Sequence, residues 1–461
     1  MQTEPLLLTH DRGTVIVSGG PSGFMYPSLP GVLFDPRTNT HRAQGRYYRA
    51  IVEQIIRDKL PYQDDARGWP KEDAGWKLST TRDPFPHQRE AVATWLRTGR
   101  RGVVVLPTGT GKTFVAVLCI AKVNRPALVV TPTIDLMNQW YAELVDLFGV
   151  EVGLLGGGYC DFKPLTVTTY DSAYIRLEQW ANKFGLIVFD ECHHLPGPTY
   201  ALAAIGALAP FRLGLTATPE RADGGEQILP ELIGPIVFRR EIKELSGEYL
   251  AEYQTRRVYV ELTPEELERY RRCREEYRQF IASRGINLSG PNGWQRFVFE
   301  ASRSPDGWRA LRAYREQKRI ERAAFGKFAA LENLLMQHAA ERTIIFTADN
   351  ATVYQIARRY LVPAITHQTK IKERKQILER FHRGEYSIVV TSQVLNEGVD
   401  VPAASVGIVL SGTSSTRENV QRLGRILRKY QGKQAILYEV IAKGTAEEFV
   451  SERRRQHGAF Q

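Results

Sequence analysis

Only four cysteines occur in 461 residues, Cys119, Cys160, Cys192 and Cys273, and none belongs to a CxxC pair. That spacing argues against a disulfide framework, a thiolate zinc site and an iron–sulfur cluster, and leaves reduced, mostly buried thiols as the expectation. Long apolar runs are missing too: nothing approaches the roughly 18 residues of a membrane span. The longest candidate, residues 200–211, is alanine-rich and stops at Pro210, which reads as a buried helix. The first residues place Glu4 ahead of only three leucines, so no secretion signal is evident and an intracellular protein is expected. Acidic residues are outnumbered, 51 against 62 Lys and Arg, for a formal charge of +11. A basic balance favours polyanion partners, a weak signal by itself.

What is present is a soluble-type composition, 43% hydrophobic, in a chain long enough for two to four domains. Residues 1–80 read as a small mixed α/β domain. A strand at Gly13–Val17 precedes a helical pattern over Tyr47–Ile56, and residues 61–74 have a linker's composition. Short β-branched runs then alternate with amphipathic helices in residues 81–240: Gly102–Leu106, Ala127–Thr131, Leu186–Phe189 and Arg212–Leu215. The same rhythm returns in residues 331–461 at Arg342–Phe346, Tyr386–Val390, Val406–Leu410 and Ala435–Val440. Two parallel sheets flanked by helices are predicted. The intervening block, assigned to residues 241–330, reads as a charged helical insertion. Residues 251–330 carry 17 Lys and Arg against 11 Asp and Glu, with aromatics interleaved from Tyr270 to Tyr314.

Three motifs carry chemistry. Leu106-Pro-Thr-Gly-Thr-Gly-Lys-Thr113 follows an apolar strand and opens a helix. Gly109 and Gly111 permit the tight turn that aims backbone N–H groups, Thr108 and Thr110 included, at phosphates. Lys112 supplies a point charge to the outer phosphates of ATP, and Thr113 a hydroxyl for Mg²⁺. The leading glycine of the strict phosphate-loop pattern is replaced by Leu106. The second motif is a strand ending in Asp190-Glu191, followed by His193 and His194. Asp190 would hold Mg²⁺ through its water shell and Glu191 would orient the attacking water. In the third, Gln421-Arg-Leu-Gly-Arg-Ile-Leu-Arg428, the arginines are three residues apart on one helical side. Arg425 and Arg428 are then expected to reach the γ-phosphate.

With these residues in place, the sequence resembles superfamily 2 helicases of the DExH type, and within them the XPB family in its compact archaeal and bacterial form. The resemblance runs from about residue 10 to 450. Gln88 stands at the family's adenine-reading position, Thr131-Pro-Thr133 and Thr168-Thr-Tyr170 at its DNA-backbone loops, and Thr216-Ala-Thr218 at its coupling motif. Ile345-Phe-Thr347 opens the second lobe, and Thr391-Ser-Gln-Val-Leu-Asn-Glu-Gly-Val-Asp400 matches motif V. More specific to the family are Thr169-Tyr-Asp-Ser-Ala-Tyr174, Arg212-Leu-Gly-Leu-Thr-Ala-Thr218 and Thr366-His-Gln-Thr369. The resemblance implies two RecA-like lobes, an N-terminal damage-recognition-like domain, a thumb-like insertion, and a 3′→5′ motor acting in nucleotide excision repair or transcription-linked DNA opening. It places Glu397, Gly398, Asp400 and Gln421 with the nucleotide, and Thr133, Thr169, Thr347 and Thr391 on DNA. His193 and His194 would couple the nucleotide site onward with Thr216 and Thr218.

One position departs from the family: its Arg-Glu-Asp motif is here Arg221-Ala-Asp223. Three alternatives stand: strand separation by Arg221 and Asp223 alone, a motor that separates strands less than it tracks duplex, or a tolerated change in a surface loop. Further rivals are an RNA helicase, a restriction-type translocase, and an ATP-switch scaffold recruiting a nuclease. The expected partners are DNA and a nuclease subunit, and the expected state is a monomer.

Overall fold

In a computed structural model, residues 4–221, 223–247, 249, 252–288, 292–392, 404–411 and 434–455 are described. They form two units, residues 1–240 and 241–461. The first begins with a five-stranded sheet in the order Leu33–Asp35, Thr40–Gln44, Thr14–Gly19, Leu6–Asp11, Tyr62–Asp64. Alternate residues Leu6, Leu8, Val15 and Val17 face a core completed by Ile51 and Ile55 of the helix Tyr48–Arg57, the period-two and helical patterns meeting as their spacing requires. The stretch with a linker's composition contributes a strand: Tyr62–Asp64 pairs in parallel with residues 6–8. Local composition registered its loops and missed this short tertiary pairing. The sheet docks closely on the rest of the unit. A Cβ at Gly45 would overlap the Gly206 carbonyl, and Arg49 Nη1 donates to the Gly99 carbonyl at 2.6 Å.

The larger sheet of this unit runs in the order Ile236–Arg239, Arg101–Val105, Phe211–Thr216, Leu186–Asp190, Ala127–Thr131, Leu165–Thr169, Val152–Gly156, Tyr159–Cys160. All pairings are parallel except the last. Its central strands are buried end to end, which explains the apolar runs of Ala127–Val130 and Leu186–Phe189, while Leu165–Thr169 buries its threonines as well. Each fully buried residue of this kind contributes about 1.5–3 kcal/mol. Arg212 is an exception in this interior: its guanidinium donates to the carbonyls of Ala204, Ala207, Ala209 and Leu232 and clamps the chain after the helix Ala201–Gly206. Parallel strands bring every strand-to-helix loop to one edge, where ligands bind in such sheets.

The second unit holds a six-stranded parallel sheet, Glu252–Val260, Gln434–Ala442, Val406–Val409, Thr343–Phe346, Ile388–Thr391, Ala364–Ile365. Here the sequence reading needs correction. The block read as helical from residue 251 opens with a nine-residue strand, which pairs along its whole length with Gln434–Ala442. Its alternation Tyr253, Thr255, Arg257 against Glu252, Gln254, Arg256 is too polar to signal a strand, and the partner is distant in sequence. Helices follow at Pro264–Ser283, Gly293–Ala301 and Pro305–Arg322, around a local core of Phe280, Ile286, Phe297 and Leu311. Of the interleaved aromatics, Tyr270, Phe280 and Phe297 are buried, whereas Trp294, Phe299 and Trp308 are exposed. Among the described residues, no helix is long and apolar enough to cross a membrane.

Candidate nucleotide and DNA site

Five loops stand side by side along one edge of the large sheet, in the spatial order phosphate loop, Thr216, Asp190, Thr131, Thr169. The phosphate loop leaves the strand Arg101–Val105 and enters the helix Lys112–Val123 through Gly109 at φ +90° and Gly111 at φ +82°. A side chain resists both angles, and at Gly111 a Cβ would also strike the Gln88 amide. Lys112 is buried, and its Nζ donates to the Leu106 carbonyl at 3.1 Å, which stretches the side chain back across the loop. Thr113 follows on the first helical turn, half-buried. Thr110 is held by its hydroxyl on the Pro107 carbonyl at 2.8 Å.

Gln88 is the third residue of the helix Pro86–Arg97 and is buried. Its Oε1 accepts from Phe85 N at 2.9 Å, and its Nε2 donates to the Thr110 carbonyl at 3.0 Å. His87 Nε2 also meets the Thr110 carbonyl, at 3.1 Å. The glutamine thus braces the phosphate loop directly.

Asp190 ends its strand nearly enclosed. Oδ2 accepts from Trp140 Nε1 at 2.8 Å and Oδ1 from Glu191 N at 3.0 Å. Burial pushes its carboxyl above the ordinary range, opposed by the indole N–H and by the positive charge of Lys112. Glu191 adopts a left-handed conformation at φ +46°, a strain of about 1–2 kcal/mol for a residue with a Cβ, which turns the chain sharply off the sheet. Its Oε2 lies 3.4 Å from His193 Nδ1. The fully buried His193 Nδ1 is 3.0 Å from Thr216 Oγ1, whose hydroxyl donates to the Thr218 carbonyl at 3.2 Å and accepts Thr218 N at 3.2 Å. With the Thr216 hydroxyl hydrogen spent on the Thr218 carbonyl, Nδ1–H donating to Thr216 Oγ1 is the tautomer that fits this pair. The His194 ring lies tilted 4.3 Å from the His193 ring and 6.1 Å from Tyr170, centroid to centroid. Arg221 closes the line, donating to the His193 carbonyl at 2.6 Å while gripping Asp223 bidentately at 2.6 and 2.8 Å.

The four candidate DNA threonines divide into two pairs. Thr133 Oγ1 caps the helix Ile134–Phe148 by accepting Leu136 N at 3.2 Å, and Thr169 Oγ1 caps Tyr170–Ile175 by accepting Ser172 N at 3.3 Å. Thr347 and Thr391 in the second unit are fully buried. Their hydroxyls donate to the carbonyls of Asp349 at 2.9 Å and Ser392 at 3.1 Å, shaping their loops from inside. Glu397, Gly398, Asp400, Gln421, Arg425 and Arg428 lie outside the described residues.

Sequence reasoning missed Trp140 and Tyr170 as partners of Asp190; the Tyr170 hydroxyl donates to the Asp190 carbonyl at 2.9 Å. A contact across 50 residues leaves no trace in local spacing, although a single tryptophan in an amphipathic helix two turns after a capping threonine is a place to look.

Models of known families match three stretches: the xeroderma pigmentosum group B helicase damage recognition domain over residues 8–66, the type III restriction enzyme res subunit over 81–221, and the helicase conserved C-terminal domain over 326–430. The chain is 43% identical over 430 residues to the DNA 3′-5′ translocase XPB2 of Sulfurisphaera tokodaii, covering 93% of this chain and 96% of that one. It is 30% identical over 412 residues to the DNA 3′-5′ helicase XPB of Mycobacterium tuberculosis, covering 84% and 68%. Among solved structures, the Hef helicase domain of Pyrococcus furiosus shares the fold at a TM-score of 0.52 and 20% identity, over 80% of this chain and 98% of that one.

Proposed function

Because the chain belongs to the XPB family of superfamily 2 DNA helicases, we propose that it is a 3′→5′ DNA motor of repair whose ATP is bound and cleaved at the edge formed by Lys112, Asp190 and Glu191. The observation that carries this reading is the continuous line Glu191–His193–Thr216–Thr218, with Arg221 on the His193 carbonyl, beside the phosphate loop. A change at Glu191 reaches the outer loops through fully buried groups.

In this reading Lys112 steadies the outer phosphates, and backbone N–H groups of residues 108–111 cradle them. Gln88 holds the loop's shape and reads the base. Thr113 and Asp190 offer hydroxyl and carboxylate oxygens, the hard donors that suit Mg²⁺. Among the described residues no group of three or more His, Cys, Asp or Glu side chains is arranged to hold a metal ion. Bound there, Mg²⁺ supplies charge neutralisation for phosphoryl transfer. Glu191 orients the attacking water. Glu397, Gly398, Asp400, Gln421, Arg425 and Arg428 enter on sequence spacing and resemblance. The backbone contacts fall to the loops at Thr133 and Thr169, with Thr347 and Thr391 shaping their own loops from within.

Arg221 favours translocation over strand separation. Its guanidinium is occupied by Asp223 and the His193 carbonyl, so it serves coupling. A nuclease partner and a monomeric state belong to the same proposal on resemblance.

The test is steady-state ATP hydrolysis without polymer and with single-stranded DNA, duplex DNA or RNA, using Lys112→Ala as the blank. Stimulation by DNA above RNA, lost in the variant by at least about a hundredfold, is expected. Equal stimulation by RNA, or none by DNA, would overturn the reading.

A further inference from the structure

Asp190 is gripped at its carboxylate and at its carbonyl by side chains from the helix that follows the Thr131–Thr133 loop and from the loop at Thr169, one strand further along the edge. Trp140 Nε1 donates to its carboxylate at 2.8 Å, and the Tyr170 hydroxyl donates to its carbonyl at 2.9 Å. Both donors are buried, each 1% exposed. Trp140 stands seven residues beyond Thr133 on the helix Ile134–Phe148, so the indole lies about 10 Å along a rigid axis from that loop. Tyr170 follows Thr169 directly. The two loops are also tied to each other, since Thr131 Oγ1 donates to the Thr168 carbonyl at 3.2 Å. A displacement of either loop is therefore felt by both.

The two grips control different things. The indole fixes the rotation of the Asp190 carboxylate. The phenol fixes the peptide joining Asp190 to Glu191, and that peptide sets the left-handed turn that aims the Glu191 side chain. A residue held in a strained conformation stays there only while its surroundings over-determine it. Removing one hydroxyl loosens that constraint without emptying the core.

Resting on the proposed function, we propose that Trp140 and Tyr170 are positioning residues that carry DNA contact at residues 131–133 and 168–169 to the catalytic carboxylates. Polymer bound across the two loops steadies both arms, and the arms set Asp190 and Glu191 in their working orientation. The DNA-stimulated part of ATP hydrolysis then depends on an indole N–H and a phenol O–H that touch neither ATP nor DNA.

Trp140→Phe and Tyr170→Phe each delete one donor and keep most of the packing. ATP hydrolysis is measured with and without DNA, with kcat separated from KM, alongside DNA affinity by fluorescence anisotropy and thermal melting. The expected result is a stimulation ratio lower by about five- to tenfold in each variant, mainly through kcat, with DNA affinity within about twofold of wild type. In a nucleotide-free and metal-free titration, the DNA-induced change in tryptophan emission should be smaller in Trp140→Phe than in wild type. A wild-type stimulation ratio in both variants would overturn the proposal. So would a loss that scales basal and stimulated rates by the same factor, because that is the mark of damaged geometry without coupling. An unchanged emission response in a folded Trp140→Phe would also count against it. If Trp140→Phe fails to fold, Tyr170→Phe decides on the ratio alone. A wild-type enzyme that DNA does not stimulate overturns the proposed function itself, and this inference with it.

Discussion

Each of the two large parallel sheets has a buried lysine at the edge where its strands end, and the two lysines are used in opposite ways. Lys327 donates to both oxygens of Glu447, at 2.8 and 2.6 Å, and to the Leu410 carbonyl at 2.7 Å. At the other edge a loop carbonyl accepts from Lys112 and an indole and an amide donate to Asp190, while the Lys112 charge favours the ionised Asp190 carboxylate. A contact ion pair joins chain to chain, whereas the carbonyl, the indole and the amide orient the charged group they meet. The same device braces one sheet and arms the other.

Substitutions in both units sharpen the contrast. The largest effect on stability belongs to Lys327→Met, which leaves Glu447 buried without its counter-ion and should cost about 3–5 kcal/mol, read as a lowered melting temperature. Lys112→Ala, for all its effect on hydrolysis, should leave melting within a few degrees. The first penalty should depend on pH. Burial raises the Glu447 carboxyl above its ordinary value of 4.5, and Lys327 pulls it back. Stability from a raised group is full below the ordinary value and is lost as pH rises through the raised one. Without the lysine the deficit therefore widens from acid toward neutral pH, and adding Glu447→Leu should recover most of it.

Arg221→Ala comes next. It removes the link from the His193 carbonyl to Asp223, and should lower translocation or unwinding about three- to tenfold while ATP hydrolysis falls less than about twofold. Equal losses in both would show that Arg221 supports the chemistry itself.

The smallest effect is expected for Tyr270→Phe. The Tyr270 hydroxyl accepts Ala446 N at 3.0 Å and Arg274 Nη1 at 2.7 Å and donates to Glu321 Oε1 at 3.1 Å, joining the helical insertion to the sheet that Lys327 braces. Burial and the Glu321 charge push its pKa up to about 12, so it remains a donor at any working pH. Its loss should cost about 1–2 kcal/mol with little pH dependence, checked by melting at pH 6 and pH 9.

The phosphate loop, the Asp190-Glu191 strand end and most central strands were legible because each is a local pattern: glycines where φ must be positive, and apolar runs where both faces of a strand are covered. What stayed hidden depends on residues far apart in sequence. Tyr62–Asp64 becomes a strand only beside residues 6–8, and Glu252–Val260 only beside Gln434–Ala442. Thr347 and Thr391 look like surface contacts in a motif, yet the pairing of their strands turns them inward, Thr347 N donating to the Thr391 carbonyl at 2.9 Å. The grip of Trp140 on Asp190 has the same origin, since only the order of strands in the sheet makes the two neighbours.

The strand Glu252–Val260 also has a history during synthesis. Its parallel partner emerges from the ribosome roughly 180 residues later, a wait of about 10–40 s at common elongation rates. The insertion's helices, whose core is drawn from residues 280–311, complete that local core well before then. For that interval the nascent chain presents a nine-residue strand with nothing yet to pair with. Its charged residues, Glu252, Arg256 and Arg257, then act as gatekeepers against the wrong neighbour.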